Sequence, residues 1–116
     1  MTPDAVRFRI MSQATEDFTG LWELAAAPQA PDIDELIGVL SSLIQERLLT
    51  VYRGTHFMSE ETPLPVPAAR KMFRDKRYWN WSAAERGPNL RVFATPNGRD
   101  WYFAQRKPPA GARLVS

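Results

Sequence analysis

The 116-residue chain has no cysteine and only one histidine, His56. Without cysteine there is no disulfide scaffold, zinc ribbon, iron–sulfur centre or thiol nucleophile. A lone histidine cannot assemble a zinc site or a Cys–His pair. No apolar run approaches the roughly 18–20 residues of a membrane span. Residues 1–11 lack the apolar core of a signal peptide, so the expected location is cytoplasmic. Glycine is sparse and scattered, at positions 20, 38, 54, 87, 98 and 111, and neither a phosphate-cradling loop nor a dinucleotide pattern can be drawn through it. Ser41-Ser42 has no activating base nearby in sequence. The three acids Asp32, Asp34 and Glu35 suit the positive end of a helix dipole better than a cation site. These absences lead to an expectation of no enzyme, no metal and no cofactor.

What is present reads as one folded unit. Apolar residues make up 44% and charged residues 24%, ordinary proportions for a globular domain. The length falls below the roughly 150 residues of a typical domain. Residues 1–105 are read as a single α+β domain, and 106–116 as a basic, loose tail carrying Arg106, Lys107 and Arg113.

Periodicity supplies the elements. Met1–Met11 alternates Val6, Phe8 and Ile10 with Arg7 and Arg9, the period of a strand. Phe18, Leu21, Trp22 and Ala25 follow helical spacing behind an N-cap at Thr15, and Pro28 disfavours continuation past Ala27. Ile33, Leu36, Ile37, Leu40, Leu43, Ile44 and Leu48 form one apolar stripe. Asp32 and Glu35 open it like a capping box, and Gly38 is a weak point inside it. Leu49–Arg53 alternates as a strand ending at Gly54. Thr55–Val66 reads as an extended loop set by Pro63 and Pro65, with Pro67 suited to the start of a short third helix, Ala68–Lys76. Asn80–Asn89 reads as irregular. Leu90–Thr95 and Asp100–Ala104 read as strands joined by a Pro96-Asn97-Gly98 hairpin turn. The expected fold is therefore α+β, three helices with a small antiparallel sheet.

Charge is unevenly distributed. Thr15–Leu49 holds seven acidic residues and one basic residue, whereas Thr50–Ser116 holds 12 basic and five acidic residues. Two explanations stand: a polyanion-binding surface, or two halves that face each other. The densest feature is Arg70-Lys71-Met72-Phe73-Arg74-Asp75-Lys76-Arg77, followed by Tyr78, Trp79 and Trp81. Cations of this kind grip phosphates and exposed aromatics stack on bases. At helical spacing Arg70, Arg74 and Arg77 share one face. Arg99, with Arg91, would extend the basic surface onto the hairpin.

An apolar helix running into Leu49-Thr50-Val51-Tyr52-Arg53-Gly54, then Val92-Phe93-Ala94-Thr95 with Gly98 three residues on, resembles the winged helix-turn-helix pattern. It is also similar to a group of small bacterial proteins with a Trp-Glu helix near the N-terminus and a Tyr-Arg-Gly strand end. The resemblance implies a winged-helix-like domain that binds double-stranded DNA in a regulatory role. Phosphate contacts would fall to Arg70, Lys71, Arg74, Arg77 and Arg99, and stacking to Tyr78, Trp79 or Trp81. The usual recognition helix does not carry over, because Asp32, Asp34, Glu35 and Glu46 on the second helix repel phosphate. The alternative is a protein-interaction module (an adaptor, immunity or inhibitor protein) that uses the acidic helix face or a Trp79/Trp81 strip.

Overall fold

Pro3 opens a helix, not a strand. The computed structural model describes residues 3–27, 30–54, 61–80 and 89–106, and its first element is α1, Pro3–Glu16. The alternation of Val6, Phe8 and Ile10 hides a second pattern. Val6, Ile10 and Ala14 recur every four residues, and together with Met11 they form the buried face, the spacing of a helix stripe. Phe8 is left outside at 38% exposure, lying against Tyr102 with ring centroids 5.2 Å apart.

The helix expected to begin at Thr15 starts six residues later. Thr15 is buried within α1. The chain then makes a two-residue strand, β1 (Thr19–Gly20), before α2 (Leu21–Ala26). Phe18, counted in sequence as part of the helical face, instead stacks on Phe93 at 4.5 Å and meets Tyr52 edge-on at 5.3 Å. An aromatic cluster on the sheet outweighs local spacing.

The second stripe forms as expected. Helix α3 spans Ile33–Gln45, and the Asp32 carboxylate accepts a hydrogen bond from the Glu35 amide at 2.8 Å. Leu36, Val39, Leu40, Leu43 and Ile44 are buried. The helix ends with paired bonds: the Leu48 amide donates to the Leu43 carbonyl, and the Arg47 amide donates to the Ile44 carbonyl. This closing motif places its turning residue in the left-handed region, and Arg47 occupies it with φ 62°. Leu48 therefore lies beyond the helix and leads into β2, Leu49–Gly54.

The mixed helix-and-sheet class is as the sequence implies. Among the described residues there are five α-helices and one four-stranded antiparallel sheet, in the order β1-β4-β2-β3. β3 is Glu61–Pro63, so part of the expected loop is an edge strand that pairs Tyr52 with Pro63. The edge is where a residue without an amide proton is tolerated. β4 is Asn89–Ala94 and pairs along the whole of β2, from Leu49 opposite Ala94 to Gly54 opposite Asn89. Leu49, Val51, Leu90, Val92 and Ala94 turn inward to join the buried faces of α1 and α3 in one core.

The expected hairpin after Thr95 is a helix, α5, Pro96–Arg106. The Thr95 hydroxyl accepts a hydrogen bond from the Gly98 amide at 2.9 Å and donates to the Arg47 carbonyl at 2.6 Å. Thr95 is thus an N-cap, and Pro96 is the first helical residue, a position whose amide has no intrahelical partner. Gly98 is required by contact, since a Cβ there would lie 1.9 Å from the Leu48 carbonyl oxygen. A Thr-Pro-Asn-Gly run that suits a turn equally suits a capped helix start, and packing onto α1 selects the latter. The helix carries one residue into the span read as tail; 107–116, with Lys107 and Arg113, lie outside the described residues. So do residues 55–60, which include His56, and residues 81–88 of the stretch expected to be irregular.

Candidate functional site, a cleft between an acidic helix and a basic turn

The basic cluster does not lie on one helix. Helix α4 is Val66–Met72, with Pro67 in its first turn. The chain then bends through Phe73–Asp75 into a 3-10 turn, Lys76–Trp79. Arg70, Arg74 and Arg77 therefore do not form a single helical track. The break has a local cause. The Asp75 carboxylate accepts from the Arg77 amide at 3.0 Å, caps the 3-10 turn, and pairs with the Arg77 guanidinium at 2.7 Å. The Arg77 hydrogen bonds hold the Asp75 carboxyl below its ordinary value.

The aromatic half of the motif turns inward. Tyr78 and Trp79 are each only 7% exposed, and the Trp79 indole N–H donates to the Phe73 carbonyl at 2.7 Å. Neither ring is available to stack on a base or to anchor a partner as an exposed knob. Trp81 lies outside the described residues. Arg99 stands apart in the first turns of α5, where it donates to the Thr15 carbonyl at 3.1 Å and lies over Phe103. Arg91, the other cation assigned to the hairpin, sits on β4 with its guanidinium 5.5 Å from the Trp22 ring. The described structure thus divides the proposed phosphate contacts. Arg70, Lys71, Arg74 and Arg77 stay together and exposed, while Arg99 belongs to another element.

The exposed cations border a cleft of about 1060 Å³ between α3 and the α4–turn segment. One wall is α3, contributing Asp34, Ser41, Ser42, Gln45 and Glu46. The other presents Arg70, Arg74 and Lys76, and Ile33, Ile37, Phe73 and Trp79 supply the apolar lining. The acidic and basic segments of the sequence do face each other: α3 and α4 pack together, and their charged side chains border an open cleft. Among the described residues, the side chains of Asp34, Arg70, Arg74 and Lys76 make no ion pair or hydrogen bond.

Glu46 differs. Arg7 on α1 grips its carboxylate in a two-pronged pair at 2.6 and 3.0 Å, and the Ser42 hydroxyl donates to it at 2.9 Å. These bonds, Arg7 first, hold the Glu46 carboxyl below its ordinary value. Among the described lining residues, the charges left to act on a ligand are three cations against Asp34. Sequence reasoning missed this cleft because its walls come from segments some thirty residues apart. The one local signal was Gly38, an unexplained weak point in an otherwise strong helix.

Comparison with known proteins finds no matching family model, curated protein or solved structure. No described helix is long and apolar enough to cross a membrane.

Proposed function

We propose that this chain is a small non-enzymatic interaction module, built on a winged-helix-like scaffold, that binds a protein partner through the α3–α4 cleft. The scaffold reading is supported by α3 turning directly into β2 and by the antiparallel pairing of β2 with β4, the two strands that carry the resemblance. The interaction reading is carried by one observation: the cations Arg70, Arg74 and Lys76, without a partner among the described residues, stand over an apolar lining, opposite a helix wall rich in hydroxyl and amide groups. Apolar surface with polar groups at its edge is what partner recognition uses.

The test is capture from cell lysate by the wild-type chain and by an Arg70→Glu/Arg74→Glu variant, whose altered side chains are exposed and so leave the fold intact. A partner retained by the wild type and lost by the variant is the expected result. Equal capture by both overturns the reading.

The nucleic-acid reading retains one favourable observation: Arg70, Lys71, Arg74, Lys76 and Arg77 are all exposed within eight positions. It takes second place because Tyr78 and Trp79 are buried, Arg77 is paired with Asp75, and Asp34 shares the cleft. Its test is anisotropy of a labelled random-sequence duplex at about 50 and 200 mM salt. Steep weakening with salt supports it; no binding at the lower salt overturns it.

A further inference from the structure

Gly38 lies in the middle of α3, exposed, on the wall of the cleft. A glycine inside a helix sacrifices stability that alanine would supply, because the unfolded chain gains the most freedom there. Such a residue is usually explained by close packing, as at Gly98. At Gly38 that explanation fails, since a Cβ would find nothing within 4 Å among the described residues. Nor does the backbone need glycine, because its φ is not positive. Nothing within the described chain accounts for the missing side chain. The ground it leaves bare belongs to the cleft.

We infer that the cleft takes an acidic peptide segment containing apolar residues, whose backbone crosses α3 over Gly38. This rests on the interaction-module reading and names its ligand. The charge argument gives the sign. Glu46 is already paired with Arg7, so among the described lining residues Arg70, Arg74 and Lys76 outnumber Asp34 and the cleft favours an anionic ligand. The lining gives the second requirement. Ile33 is 36% exposed and Ile37 half-buried, apolar area that a phosphate backbone would leave uncovered and a leucine or phenylalanine would cover. The α3 wall gives the third. Ser41 and Gln45 offer hydrogen-bonding groups beside Gly38, where a peptide backbone can come close only if no side chain intervenes. A duplex meets the first requirement alone.

The experiment titrates the full chain against labelled synthetic peptides of about fifteen residues, a length that spans a groove of this kind. One peptide combines Asp and Glu with Leu and Phe. A second replaces its acids by Asn and Gln. A third is polyglutamate of the same length, and a random-sequence duplex completes the set. The acidic-apolar peptide is expected to bind, with the neutral peptide and polyglutamate each at least about tenfold weaker. Gly38→Gln is expected to match or exceed the wild type in thermal stability, since glutamine is a good helix former, and yet to bind about tenfold more weakly. Asp34→Asn is expected to tighten binding several-fold.

Polyglutamate or duplex binding as tightly as the acidic-apolar peptide overturns the inference, and so does undiminished binding by folded Gly38→Gln. If the lysate partner is lost on Arg70→Glu/Arg74→Glu while no peptide binds, the ligand chemistry is wrong and the module stands. If lysate capture is insensitive to that variant, the module reading itself has failed.

Discussion

Two glycines mark two differently built halves of this molecule. Gly98 sits where α5 meets the α3–β2 turn, and a Cβ there would overlap the Leu48 carbonyl and press on Met11. Gly38 sits on α3, and a Cβ there would touch nothing among the described residues. The first half is closed by packing. Thr95 joins Arg47 to the start of α5, and α5 lies along α1. The second half is left open, with cations that have no partner among the described residues and a helix that forgoes stability at its centre. A fold optimised only for stability would keep Gly98 and replace Gly38. The difference places the tight packing in the α1–α5 half, and the proposed binding would use the α3–α4 half.

The comparison is broken most forcefully at Gly98. Gly98→Ala should destabilise the chain by about 3 kcal/mol, as a methyl group is forced against backbone that cannot move aside; urea unfolding measures it. Thr95→Val should cost about 1–2 kcal/mol by removing the helix cap and the bond to Arg47 together, read in the same way. Arg47→Gly should raise stability by about 1 kcal/mol, because the left-handed backbone at φ 62° strains any residue with a Cβ. Gly38→Ala should also stabilise, by about 0.5–1 kcal/mol. A loss of stability there would show that Gly38 is structural and would erase the contrast with Gly98.

The smallest effect concerns the Arg7–Glu46 pair, whose members are 18% and 49% exposed. Exposed pairs of this kind contribute under about 1 kcal/mol. Its sign with pH is fixed by the lowered Glu46 value. The stabilisation is complete above the ordinary glutamate range, where Glu46 is ionised in both folded and unfolded chains. It disappears as pH falls through the lowered folded value. Arg7→Ala should therefore lower the melting temperature slightly at neutral pH and converge on the wild type at acid pH, flattening the acid limb of the profile.

How much of this was legible beforehand differs by element. Helix α3 was readable in its main part because Leu36, Leu40, Leu43 and Ile44 of its stripe and its Asp32 cap agree with its burial, although Ile33 is exposed and Leu48 lies beyond the helix. Strands β2 and β4 were readable because alternation met a sheet with one buried face. Helix α1 was misread because Val6 and Ile10 satisfy a period of two and a period of four alike. The discriminating residues Met11 and Ala14 come later in the helix. Helix α5 was misread because Pro-Asn-Gly serves both a turn and a capped helix start. The basic cluster was identified correctly as a concentration of charge, but its presentation was not. The Asp75 cap ends the track, and Trp79 turns inward to the Phe73 carbonyl.

Sequence alone determined the mixed helix-and-sheet class, the position of α3, the pairing-competent strands and the separation of acid from base along the chain. These follow from local periodicity, capping chemistry and composition, which act over a few residues. Tertiary structure alone decided that residues 3–16 and 96–106 are helical, that Tyr78 and Trp79 are buried, and that acid and base face each other across an open cleft. Those outcomes depend on which surfaces meet. Burial of apolar area between distant segments outweighs the fractions of a kcal/mol by which local preferences differ.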